Sequence, residues 1–177
     1  MMVYHPKTFN NQSLIYEKYW MKLYLEEHNI TEDKTFDFIV VDAPNWVIIV
    51  PELPSGELIL IEQYRPAWRQ LSVEFPGGRI EKGEQILTAA RRELREESGY
   101  TANKIRKLVT SRPVSWTTQE MTVLVAEVSD QFEQELDDEE NIEVLKFTPE
   151  EVTELIKSGR MQQTASIFAF TIWNSKN

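Results

Sequence analysis

The chain has 177 residues, no cysteine, 19 basic against 29 acidic residues, and a formal net charge of −10. That length suffices for a domain with a real core, and the lack of cysteine excludes a disulfide framework and a thiolate metal site. The acidic balance argues against long nucleic acid as a partner, because that needs a basic face to displace counterions. No run of about 18 apolar residues is present to span a membrane. The start, "MMVYHPKTFNNQ", lacks the basic-then-apolar order of a signal peptide, so a cytoplasmic location is expected.

In chain order, "TFDFIVVD", "NWVIIV" and "ELILIEQY" are rich in β-branched and aromatic residues and predict strands. Pro44-Asn45 and Pro54-Ser55-Gly56 punctuate them as turns. "LSVEF" predicts a short strand running into Pro76-Gly77-Gly78. A helix is predicted from Glu84 to Ser98, stopped by Gly99 as a C-cap. "KIRKLVTS", "MTVLVAEV" and "NIEVLKF" predict further strands. Between the last two, the acidic run from Glu135 to Asn141 reads as a loop. In "TPEEVTELIKSG", Thr148 and Glu151 form a capping box and Pro149 suits the first helical position; Gly159 ends that helix. An amphipathic helix is predicted over Thr164–Trp173. Strands outnumber helices and partly precede them, so the class is α+β, a mixed sheet with helices packed on it. Residues 1–45 form an N-terminal antiparallel strand region and 46–177 a single compact domain.

The central helix carries an anomaly. With Ile86 at zero and about 100° per residue, Ala90, Leu94 and Leu87 form one apolar stripe. Arg91, Arg95 and Glu84 fall on the opposite side. Glu97, however, falls inside the stripe, Glu93 on its border and Glu96 beyond it. A buried carboxylate is costly unless paired or metal-bound. Glu93, Glu96 and Glu97 are spaced i, i+3, i+4, so their oxygens can converge, and such hard ligands suit Mg²⁺ or Mn²⁺. A lattice of these acids with Arg91, Arg92 and Arg95 is the plainer alternative. Gly77, Gly78 and Gly83 before the helix allow a loop that presents its backbone to a ligand or ion.

Taken together, Gly78, Glu84, Arg92, Glu93, Leu94, Glu96, Glu97, Gly99 and Tyr100 stand at the spacing of the Nudix box, and every fixed position matches. The stretch resembles that of Nudix hydrolases, which cleave a nucleoside diphosphate linked to another group. The flanks "IEQYRP", "EFPGG", "TPEEVTELIKSG" and "GRMQQTASIFAF" resemble the ADP-ribose pyrophosphatase and nucleotide-sugar branch. The resemblance implies the Nudix fold, a mixed sheet sandwiched between helices, and a homodimer in which the N-terminal region takes part.

The same resemblance implies roles for single residues. Glu93 and Glu97 would be the principal metal ligands, Glu96 a shared or bridging carboxylate, and the Gly77 carbonyl a backbone ligand. Arg92 would orient the glutamates and Glu84 support them. Arg65 would contact the substrate's phosphates, with Gly78 in the loop beside them. Trp20, with Phe36 or Phe38, would stack on the base, often across a dimer. Glu140 in "DDEEN" would activate or position water, with Asp138 and Glu139 as neighbours. Where the branch often has a Ser-Pro-Gly loop and a glutamate, this chain reads "SRPVSWTTQE", with Val114 after Pro113 and Glu120 as a distant counterpart. Trp116 and Trp68 read as packing residues. The implied reaction is Mg²⁺-dependent hydrolysis of the diphosphate bond of ADP-ribose or a related nucleotide sugar, giving a nucleoside monophosphate and a sugar phosphate. GDP-mannose or another nucleotide sugar is the rival substrate. A nucleotide-sensing module without hydrolysis is the rival class, although such modules usually lose box carboxylates.

Overall fold

The computed structural model describes residues 9–31, 34–136 and 141–176. These fall into two units. The first holds the described residues up to Asn45 together with Arg112–Glu120, and the second holds Trp46–Ser111 and the described residues from Met121 on.

The first unit is a three-stranded antiparallel sheet of β1 (Asn11–Lys18), β2 (Met21–Thr31) and β3 (Lys34–Asp42), in that order. β1 and β2 carry no clean alternation, and the sequence reading places an antiparallel strand region over residues 1–45 without bounding its first two strands. Pairing makes them strands: Gln12 lies opposite Glu26, and Glu26 opposite Phe38. The departure segment "SRPVSWTTQE" belongs to this unit from Arg112 on. Val41 donates to the Trp116 carbonyl at 2.9 Å, Thr118 donates back to Val41 at 3.0 Å, and Arg112 pairs with Glu120 at 3.1 Å.

The second unit is a six-stranded mixed sheet. β4 (Trp46–Glu52), β5 (Leu58–Arg65), β6 (Gln70–Glu74), β7 (Tyr100–Ser111) and β8 (Met121–Gln131) run in the order β6-β5-β4-β8-β7, and β9 (Ile142–Phe147) pairs with β5. β4 and β8 are parallel from Trp46↔Met121 to Glu52↔Glu127. Their unbroken apolar runs suit a strand pair covered on both faces. Val47, Ile49, Ile59, Leu124 and Ala126 pack on one face against Ala89, Ala90 and Leu94 of α1 (Ile86–Ser98). Ile48, Val50, Leu58, Leu60 and Val123 pack on the other against α2 (Pro149–Lys157) and α3 (Thr164–Asn174). This is the expected sheet sandwiched between helices.

Local signals fixed the helix ends. The capping box forms, with Glu151 N–H donating to Thr148 Oγ1 at 3.3 Å and Thr148 N–H to Glu151 Oε2 at 2.8 Å. Gly99 takes φ 73° and caps α1 through a bond to the Arg95 carbonyl. Two expectations are corrected. α1 begins at Ile86, and Ile86 and Leu87 are exposed, so its packed stripe starts only at Ala89. Trp68 and Trp116 are 44% and 55% exposed rather than packed. α3 spans Thr164–Asn174 as expected, with Thr164, Thr171 and Asn174 exposed and Ala165, Ser166, Ala169, Phe170 and Trp173 buried.

One irregularity positions the site. β4 and β5 share only the Glu52↔Leu58 pair. Beyond it the strands part, and the glycine loop fills the opening: Ile49 N–H donates to the Pro76 carbonyl and Val47 N–H to the Gly78 carbonyl, both at 2.9 Å.

Candidate active site

Backbone alternation explains what the loop offers. Pro76 and Gly78 turn their carbonyls to β4, so Gly77 between them turns its amide and carbonyl the other way. That amide donates to Glu97 Oε2 at 2.7 Å. Glu97 is 5% exposed, in the packed stripe of α1 as its helical angle predicts. Two glycines are needed here for space. A Cβ on Gly77 would lie 2.3 Å from the Val47 carbonyl oxygen, and one on Gly78 would lie 2.5 Å from the Glu93 carboxylate. The loop therefore touches α1 at both Glu93 and Glu97.

Arg92 gathers the remaining acids. Its Nε and Nη2 donate to the two oxygens of Glu84 at 3.0 Å each. Its Nη1 donates to Glu93 at 2.8 Å and Glu96 at 3.0 Å, and Nη2 also donates to the Arg79 carbonyl at 2.9 Å. All five guanidinium protons are thus directed. The bidentate bond from Arg92 holds the Glu84 carboxyl below its usual range, and the same bond raises Arg92 further above neutrality. The arginine–glutamate lattice forms through Arg92, whereas Arg91 donates to the Ala102 carbonyl at 2.6 Å and Arg95 pairs with Glu135 at 2.8 Å.

Among the described residues, no three His, Cys, Asp or Glu side chains converge in metal-ligating geometry. The bonds above give the reason: Arg92 holds Glu93 and Glu96 while the Gly77 amide holds Glu97. The donor set still fits a hard divalent cation. It offers only oxygen ligands, and Gly78 leaves room for Glu93 against the loop that carries the Gly77 carbonyl. Glu84, Glu93, Glu96 and Glu97 with Arg92 sum to a formal charge of −3 (−4 + 1), which a cation would offset.

Arg65, at the end of β5, lies on the fully buried Glu74, with Nε donating at 2.9 Å and Nη2 also engaged. Sequence reasoning missed Glu74, although a carboxylate between Val73 and Phe75 in a short apolar strand was the signal. Trp20 lies in the β1–β2 turn, while Phe36 and Phe38 pair with His28 and Glu26 on β2. Along that strand the separation from Trp20 is about 20–26 Å, so within one chain they do not flank the same base. Asp138, Glu139 and Glu140 lie outside the described residues.

Comparison with known proteins adds the family. The NUDIX domain matches residues 43–168. The chain is 31% identical over 150 residues to an ADP-ribose pyrophosphatase of Bacillus subtilis, covering 83% of this chain and 81% of that one. It is 26% identical over 170 residues to a methanol dehydrogenase activator of Bacillus methanolicus, covering 94% and 91%. A crystal structure of an ADP compounds hydrolase superposes with a TM-score of 0.85 at 21% identity, covering 99% of this chain and 95% of that one, a likeness of fold.

Proposed function

The chain belongs to the NUDIX domain family and is a Nudix pyrophosphohydrolase, and we propose that its substrate is ADP-ribose or a related nucleoside diphosphate sugar. The observation that carries this is the buried Glu97 carboxylate, seated on the Gly77 amide beside the acids that Arg92 gathers. The name borne by the Bacillus subtilis relative supports the ADP-linked substrate. Glu93, Glu96, Glu97 and the Gly77 carbonyl would hold Mg²⁺, or Mn²⁺ in its place. When bound, the cation supplies positive charge against the diphosphate and acidifies water. Arg92 keeps the carboxylates in place, and Arg65 gives a charge-assisted bond to a phosphate. Water adds to one phosphorus and the bridging P–O bond breaks, leaving a nucleoside monophosphate and a sugar phosphate.

Phosphate-ester release from ADP-ribose, GDP-mannose and dGTP, with and without Mg²⁺, tests this. Metal-dependent turnover is expected, fastest on ADP-ribose. Faster turnover of GDP-mannose would transfer the assignment to that sugar, and no metal-dependent turnover on any of the three would remove hydrolysis.

The chain is also proposed to act as a homodimer through its N-terminal sheet. All of β1 is exposed, and Leu14, Ile15, Tyr16, Phe36 and Phe38 lie open on a sheet of only three strands. Such a surface is a typical association face. Sedimentation equilibrium at micromolar concentration should give twice the 20.8 kDa chain mass; a single chain mass would count against it.

A further inference from the structure

Glu74 and Gln163 have no part in the box, yet they form a polar network around a fully buried carboxylate in the second unit. Strand alternation places it. Leu58 and Leu60 pack on the α2/α3 side and Ile59 on the α1 side, so Gln63 and Arg65 follow Ile59 toward α1. Val73 and Phe75 pack on the α2/α3 side, so Glu74 also projects toward α1. Arg65 and Glu74 thus share a sheet face with Glu97, and Glu74 lies three residues before Gly77.

A fully buried carboxylate must be matched by donors. Arg65 supplies two through Nε and Nη2, and Gln163 supplies another through Nε2. Gln163 is itself fixed, because Ser166 Oγ donates to its Oε1 at 2.7 Å and accepts from the Phe75 amide at 2.9 Å. The amide can point only one way: its oxygen faces a donor and its nitrogen faces the carboxylate. The first turn of α3 is thereby tied to the plane of the Arg65 guanidinium.

We propose that Glu74 and Gln163 are positioning residues for Arg65, holding its guanidinium in one orientation for a phosphate of the substrate. This rests on the reading that Arg65 contacts the diphosphate. A guanidinium already ordered on Glu74 has less rotamer freedom to lose on binding, whereas an unrestrained arginine must be ordered at each binding event.

The test uses the full chain with ADP-ribose as probe, comparing Gln163→Ala, Arg65→Ala and the double variant. Gln163→Ala should raise KM about 5- to 10-fold with kcat within about twofold, as loss of an oriented contact does. In the Arg65→Ala background the same change should add less than about twofold. Provided Arg65→Ala itself raises KM, an equal effect of Gln163→Ala in both backgrounds, or none in either, would overturn the proposal. A second readout needs no substrate: the Arg65 Nε–H signal, assigned by its loss in Arg65→Lys, should exchange with water several-fold faster in Gln163→Ala. Unchanged exchange would also overturn it. If Arg65→Ala leaves KM unchanged while exchange responds to Gln163→Ala, the positioning stands and the phosphate contact fails.

Discussion

Glu97→Gln is expected to lower kcat on ADP-ribose by about 10³-fold while leaving the thermal midpoint within a few degrees of the parent. The two halves of that expectation have separate causes. Glutamine has the shape of glutamate, and its carbonyl oxygen can still accept the Gly77 amide that now bonds Glu97 Oε2 at 2.7 Å. The side chain is 5% exposed, so losing its charge relieves a desolvation cost. Catalysis loses what the fold does not need. A cation ligand contributes through its negative charge, and several kcal/mol of transition-state stabilisation at about 1.4 kcal/mol per tenfold gives the stated factor. Rates measured against Mg²⁺ concentration, with a melting curve on the same sample, check both halves. A variant with normal rate and normal metal dependence would remove Glu97 from the metal-binding set.

Glu97 was legible in the sequence because helical periodicity is local: three neighbouring turns place it among Ala90 and Leu94 whatever else the chain does. The capping box at Thr148 and the αL residue Gly99 were legible for the same reason, since each is a bond between residues a few positions apart. What escaped depends on distant pairing. The N-terminal strand region was expected, but the bounds of β1 and β2 were not, because pairing in register sets them and no short window records it. Ile86 and Leu87 fit the apolar angle but precede the part of α1 that meets the sheet. Glu74 carries the sequence signal of an acid inside an apolar strand, yet its partners Arg65 and Gln163 lie 9 and 89 residues away. The wide spacing of Trp20 and Phe36 follows from hairpin register. The family resemblance implied a shared stacking role, often across a dimer, but only pairing sets the distance within one chain.

The second large effect is expected at Gly77. Gly77→Ala should lower the thermal midpoint by roughly 5–10 °C and remove most activity together with it. The added Cβ would stand 2.3 Å from the Val47 carbonyl oxygen and 2.8 Å from Ile48 Cα. Both atoms belong to the backbone of β4, which is locked to β8 along its whole length. A flexible side chain could swing aside; this strand cannot, so the loop must lift from it. Overpacking of this kind costs about 2–3 kcal/mol, and at this chain length each kcal/mol moves the midpoint by about 2–4 °C. Lifting the loop strains the Ile49–Pro76 and Val47–Gly78 bonds and draws the Gly77 amide away from Glu97. Stability and activity should therefore fall together, unlike in Glu97→Gln. Gly83→Ala separates crowding from backbone preference. Gly83 has φ 85° with nothing within 4 Å of an added Cβ, so only the left-handed conformation is penalised, by about 1–2 kcal/mol. Activity per folded molecule should survive there. If Gly77→Ala melted within a degree of the parent, the close approach of loop and strand would be refuted, and with it the geometry that delivers Gly77 to Glu97.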